Sequence, residues 1–287
     1  MKISEVSRNS HKIHFDWKDY PGKVFEVFLP GDIHIDSRSC DTDLLRQHMD
    51  VAVEKQMPFI SFGDIFDVMN APMDRRRSRR EHEDTTERDD YFNAVVDIAV
   101  KFFTPYAKKL PFMLFGYGNH ETAVLKHNSI DLIKMLVSQL RQINPNVYAG
   151  GYGGYVAFHT SNGNGARAST ILKYYHGKEG GIITKGVLGV GRRSMIYPDA
   201  DVIVTGHTHD DFIVRQQREK LSTMGVIKQD YQLHISAPSY KNDWKDGFGG
   251  FAVERHSPKP IGGVWLKLFH LKVDGVYEIK TSAELAV

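Results

Sequence analysis

The chain has 287 residues, 41% of them apolar and 25% charged, with a formal net charge of +2. This is a globular composition whose charge is too mild to announce a polyanion binder by itself. No run of about eighteen apolar residues occurs, which argues against a helical membrane span, and residues 1–20 lack the apolar stretch of a secretory signal.

Taken in chain order, residues 23–30 alternate around Val24, Phe25, Val27, Phe28 and Leu29 and read as a strand. Residues 41–57 begin with an acidic cap and repeat apolar positions at helical spacing through Leu44, Leu45, Met49, Ala52 and Val53. A short strand is expected over 58–62. A helix follows over 91–110, kinked or ended by Pro105, then a strand over 111–117 and an amphipathic helix over 129–143. Beyond that point strands dominate: 155–159, 171–175, 202–205, 212–214, 231–235 and 264–273. Helices early and strands late fit two stacked sheets with helices outside better than one doubly wound sheet. Cys40, the single cysteine, excludes an internal disulfide framework and fits a reducing, cytoplasmic setting. It reads as a small side chain between a loop and a helix.

Potential ligands stand directly behind five of these strands. The segments are Gly31-Asp32-Ile33-His34-Ile35-Asp36, Gly63-Asp64-Ile65-Phe66-Asp67, Gly118-Asn119-His120-Glu121, His176-Gly177 and Gly206-His207-Thr208-His209-Asp210. Loops at the carboxyl ends of strands converge on one edge of a sheet, where ligands gather. Each segment alone has a plain explanation: Gly-Asp and Gly-Asn are common turns, and a lone Asp-x-His is commonly a loop. Five of them in sequence, each behind a strand, point to a metal centre. Hydrolysis of a phosphate ester needs its charge neutralised and hydroxide supplied near neutral pH, which two divalent ions about 3.5–4 Å apart can do. Mixed oxygen and imidazole donors favour Mn, Fe or Zn over Ca or Mg. With no cysteine in the set, a structural zinc site is disfavoured.

The ordered set Asp-x-His, Gly-Asp-x-x-Asp, Gly-Asn-His-Glu, His and Gly-His-x-His resembles the calcineurin-like metallophosphoesterase superfamily across residues 31–210. The resemblance implies a four-layer α/β/β/α sandwich of two mixed sheets. It implies one metallophosphoesterase domain over 1–287, with the part from about 211 onward completing the second sheet. Two divalent ions are implied, Mn2+ first and Fe or Zn otherwise. Asp32, His34 and His209 would hold one ion and Asn119, His176 and His207 the other, with Asp64 bridging. His120 would contact the phosphate, either donating a proton to the leaving oxygen or stabilising charge. Asp67 would orient a ligand without binding metal. Direct attack by metal-bound hydroxide is expected, since no protein nucleophile is required.

Two departures narrow the subfamily. Val68-Met69 follows Asp67 where phosphoprotein phosphatases have Arg-Gly, and Tyr117 stands where they place another phosphate-clamping arginine. The Gly63-to-Asp67 segment is similar to that of the repair exonucleases and of phage and bacterial relatives. The expected activity is therefore a phosphodiesterase or nuclease, ahead of a phosphomonoesterase on a nucleotide or small metabolite, and well ahead of a non-catalytic metal-binding scaffold. A phosphate-ester substrate is the expected partner, nucleic acid or nucleotide included; oligomeric state is not legible.

Several features surround this set. The run 75–80 holds five arginines, but acidic residues over 81–90 pair with it at i,i+4 spacing, which favours a solvated helix over a nucleic-acid contact. The glycine-rich segment 178–186, with Lys178 and Lys185, follows His176 and could cradle substrate phosphate, with Arg192 close behind in the chain. Base stacking on Tyr152, Tyr155 or Trp244 competes with ordinary aromatic packing at turns. The remaining histidines, among them His11 and His234, read as surface or hydrogen-bonded core residues.

Overall fold

In the computed structural model, residues 1–20, 22, 24–68, 90–161, 167–178, 187–221, 225–244, 253, 258–273 and 276–286 are described. The basic run 75–80, Lys185 with the rest of 179–186, and the glycine-aromatic run 248–251 lie outside them. Thirteen strands follow in order: β1 (Lys2–Ser7), β2 (Ser10–Asp16), β3 (Val24–Leu29), β4 (Phe59–Ser61), β5 (Met113–Phe115), β6 (Val147–Ala149), β7 (Gly153–Ser161), β8 (Arg167–Tyr175), β9 (Val202–Thr205), β10 (Phe212–Leu221), β11 (Ile227–Ser236), β12 (Gly263–Val273) and β13 (Val276–Ala286). The helices are α1 (Thr42–Glu54), α2 (Tyr91–Ala107), α3 (Asn119–Asn128), α4 (Leu132–Arg141) and α5 (Val190–Ile196).

The strands form two mixed sheets, β1-β2-β7-β8-β9-β11-β10 and β13-β12-β3-β4-β5-β6. This is the expected α/β fold of two mixed sheets flanked by helices. Alternation along the strands sends one side chain in two into the space between the sheets. Ile13, Phe25, Val27, Leu29, Ile60, Leu114, Phe158, Leu172, Val204, Leu233 and Val264 fill that inner core. A second core lies on the outer face of the six-stranded sheet, where Leu45, Met49, Val95, Phe103, Leu136 and Leu140 from α1, α2 and α4 cover Phe28, Phe59, Met113 and Phe115. The seven-stranded sheet is covered more thinly: α5 alone, among the described helices, is tied to its outer face, through Ser194 and the β10 and β11 side chains Gln216 and Gln232. Past residue 211 the strands divide, β10 and β11 joining the seven-stranded sheet and β12 and β13 the six-stranded one.

Local signals explain the helix limits. The Asp41 carboxylate accepts from Leu44 N at 3.0 Å to start α1, and Asp131 accepts from Lys134 N at 3.1 Å to start α4. Pro105 falls in the last turn of α2, which ends two residues later at Ala107. Sequence patterning had no sign of β1, β2, β6, β13, α3 or α5. His11 departs from the expected hydrogen-bonded core: it is fully buried and neither ring nitrogen has a partner. Among the described residues no helix is long and apolar enough to cross a membrane.

Candidate metal centre

All five ligand-bearing loops meet along the same edge of the sandwich, and main-chain hydrogen bonds between them extend the sheet ladders. His34 N donates to Asp64 O (3.0 Å), Gly116 N to Ser61 O (2.8 Å) and Gly206 N to His176 O (2.9 Å). Their backbone is strained. Asp32, His34, Asp64, Val68, His207 and His209 all have φ between 44° and 69°. Non-glycine residues rarely adopt this left-handed region, and such strain concentrates at functional sites. Gly63 has φ +119°, and a Cβ there would lie 2.6 Å from both Gly118 N and His176 Nδ1. Only glycine lets these three loops close together.

The predicted ligands' donor atoms form two adjoining groups, and a third group of His34, Asp67 and His120 shares His34 with the first. Ligand atoms of Asp32, His34 and His209 lie within 4.8 Å of one another, and so do those of Asp64, His176 and His207. Asn119 joins the second group: its Oδ1 is 2.7 Å from His207 Nδ1 and 2.9 Å from His176 Nε2. All seven predicted ligands are thus brought together. The six-stranded sheet contributes Asp32, His34, Asp64 and Asn119, and the seven-stranded sheet His176, His207 and His209. Asp64 faces His176 Nε2 at 3.2 Å through Oδ2, while its Oδ1 accepts the His120 amide at 3.1 Å.

This arrangement fits cations. His34 Nε2 faces His209 Nε2 at 3.4 Å, and His207 Nδ1 faces His176 Nε2 at 3.3 Å. At that distance each pair can either share one N–H or present its lone pairs to a cation lying between the rings. His34 Nδ1 is 3.0 Å from Asp67 Oδ1, which favours the Nδ1–H tautomer and leaves Nε2 as an inward donor. The buried carboxylates add to the demand. Burial lowers the His176 pKa, yet Asp64 and Asp32 beside it outweigh that and raise it to about 9. A lone proton there takes up charge that a divalent ion would carry. Cys40 is a buried thiol whose pKa burial pushes up, the reverse of an activated nucleophile.

Three supporting residues escaped the sequence reading. Glu121, at the third position of α3, accepts from Gly118 N (2.8 Å), Phe66 N (2.9 Å) and Asp64 N (3.2 Å), so one buried carboxylate pins two ligand loops. Burial, then Asp64, raises its pKa to about 7. Asp36 accepts from the amides of Asp67 and Val68 at 2.6 and 2.9 Å. Lys241, in the loop after β11, donates to Asp67 Oδ1 at 3.0 Å. Glu121 and Asp36 sit inside the quoted motifs, whereas Lys241 follows a strand end without any histidine or aspartate pattern to mark it.

His120 is 13% exposed and its Nδ1 bonds the Asp67 carbonyl. A carbonyl can only accept, so Nδ1 carries hydrogen and Nε2 faces the centre, 3.8 Å from Asp64 Oδ2. Burial lowers its pKa, but Asp64 and Asp67 reverse the shift and raise it. Of the residues expected to contact substrate, Lys178 is exposed two positions beyond His176. Arg192 is exposed on α5, with no hydrogen bond or ion pair to the donor set among the described residues.

No family model matches the chain, and no curated protein matches it. Solved structures do. A predicted phosphoesterase from Streptococcus pneumoniae TIGR4 is 11% identical with a TM-score of 0.33, covering 90% of this chain and 98% of that one. GAP50, described as the anchor in the inner membrane complex of Plasmodium, is 10% identical with a TM-score of 0.47, covering 92% and 85%. Wild-type Vps29 from Entamoeba histolytica, complexed with Zn2+, is 11% identical with a TM-score of 0.33, covering 92% and 100%.

Proposed function

We propose that this chain is a dinuclear-metal phosphoesterase of the calcineurin-like kind, acting on phosphate diesters, with residues 1–287 working as one domain. The observation that carries the reading is the meeting of seven oxygen and imidazole donors, in two adjoining groups, from loops spread over both sheets. Asp32, His34, Asp64, Asn119, His176, His207 and His209 would hold the cations. When bound, the two ions supply Lewis acidity that neutralises phosphate oxygens and makes water nucleophilic near neutral pH.

The remaining work falls to the protein. Asp67 and Lys241 fix the His34 ring. Glu121 and Asp36 hold the loops in their strained conformation. The N-terminus of α3, which carries Asn119 and His120, offers its positive dipole end to the anionic phosphate. His120, anchored through Nδ1, donates from Nε2 to the departing ester oxygen.

The test is direct. Protein stripped by chelation and reloaded with manganese should bind about two ions per chain by elemental analysis. It should hydrolyse bis-p-nitrophenyl phosphate faster than p-nitrophenyl phosphate. Hydrolysis untouched by exhaustive chelation would refute the reading. Preference for the monoester would replace diester by monoester chemistry.

A further inference from the structure

On the outer face of the seven-stranded sheet, next to the site edge, Lys173 sits in an unusual setting. Its neighbours along β8, Leu172 and Tyr174, point into the inner core, so Lys173 points outward. It is only 7% exposed. Its Nζ lies 4.4 Å from the ring centre of Tyr155 and 4.8 Å from that of Tyr197. No carboxylate or hydrogen-bond acceptor among the described residues partners it; Asp199, which acts on Tyr155, forms no ion pair with the amine. Aromatic faces return only part of what a buried ammonium loses in hydration, and buried charges are ordinarily paired. The amine is not among the polar atoms sealed from solvent without a partner, so it keeps a trace of contact with solvent.

Its position says which anion. Gly153 has no side chain, and a Cβ there would stand 3.3 Å from Lys173 Nζ, so the amine occupies room that glycine leaves open at the start of β7. Gly153 pairs with Tyr175, the residue before His176. Lys173 stands three positions before His176, about 10 Å along the extended chain. A small phosphate ester seated at the donor set ends before this point, whereas a polynucleotide continues past it. Both tyrosines are half-buried. An amine for a phosphate and tyrosine rings for a base are the two elements of single-strand binding.

We propose that Lys173, with Tyr155 and Tyr197, forms a subsite for a nucleotide flanking the scissile phosphate of a single-stranded nucleic acid. The proposal rests on the phosphodiesterase reading and names its substrate class. It is tested with manganese-loaded full-length protein, Lys173→Met and Lys173→Arg, a short single-stranded oligonucleotide, and bis-p-nitrophenyl phosphate as the small reference diester. In Lys173→Met the ratio of kcat/KM for the oligonucleotide to that for the reference should fall about tenfold, through KM. The salt dependence of oligonucleotide binding should weaken by the equivalent of about one phosphate contact. Lys173→Arg should recover most of the loss. A ratio and a salt slope within about twofold of the unaltered chain would overturn the subsite.

A second measurement needs no variant. Oligonucleotides carrying 5-iodouridine should photo-crosslink to Tyr155 or Tyr197 of the unaltered chain, mapped by mass spectrometry, and crosslinks confined to other residues would equally overturn the proposal. Absence of any manganese-dependent turnover of the reference diester would instead sink the catalytic reading, and the crosslinking result would still decide the subsite.

Discussion

Replacing Glu121 by glutamine keeps its shape and changes one oxygen into an NH2 group. In the parent, both carboxylate oxygens accept peptide hydrogens: Oε1 from Phe66 N, Oε2 from Asp64 N and Gly118 N. The best glutamine orientation keeps its oxygen on the latter pair and turns NH2 toward Phe66 N–H, donor against donor, in a site with 1% exposure. One buried amide left unsatisfied costs about 1–3 kcal/mol, and bonds to a charged acceptor exceed neutral ones. We expect a loss of about 2–3 kcal/mol for the metal-loaded protein at pH 8, seen as a lower urea midpoint at unchanged slope. Metal affinity should fall about 10–100-fold, because the Asp64 loop loses its brace. The metal-free protein should behave differently. There the raised Glu121 pKa of about 7 means the folded state binds a proton more tightly than the unfolded chain. The parent then gains stability as pH falls from about 7 towards 4.5, and a protonated carboxyl, itself a donor, is mimicked by glutamine. The difference between parent and variant should therefore shrink at pH 5.5. A urea midpoint matching the parent to within about 0.5 kcal/mol at pH 8, with unchanged metal affinity, would refute the bracing argument.

Other expectations can be checked in the same way. Gly63→Ala forces a Cβ against Gly118 N and His176 Nδ1 at positive φ, so a loss of about 3 kcal/mol or more and weak metal uptake are expected by thermal melting and calorimetry. Lys241→Met removes the ammonium beside Asp67; competition with a chelator should show about 10–100-fold weaker metal binding while the circular dichroism stays that of the parent. His234 is fully buried, and burial, then Arg193 and Arg218, lower its pKa to about 4. A depressed histidine pKa costs stability as pH falls from about 6.5 towards 4, up to about 3 kcal/mol. Urea midpoints across that range should fall more steeply for the parent than for His234→Gln, and parallel curves would contradict this.

Much of the centre was legible because its chemistry is written in short segments. Asp32, His34, Asp64, Asn119, His176, His207 and His209 each follow a strand that alternation or an apolar run reveals, and topology does the gathering. The supporting residues were harder to see for a physical reason. Glu121 and Asp36 act on main-chain amides, which leave no trace in side-chain pattern, and Lys241 matters through a contact with Asp67 across 174 positions. β1 is exposed along most of its length, and β2 alternates strictly but its first buried position is His11, which leaves an apolar pattern of only Ile13 and Phe15. The helix α3 has little apolar periodicity and is fixed at its start by Gly118 and Glu121.

The donor set is split between the two sheets, four residues from one and three from the other, with a close-packed apolar interior keeping the layers in register. A cation held there staples layer to layer. Any breathing motion that slides one sheet across its neighbour disperses the ligands, so ion occupancy and the stiffness of the sandwich are reciprocally linked. A substitution deep among Phe25, Phe158 and Leu172, far from any ligand, can therefore loosen the grip on metal as surely as one beside it.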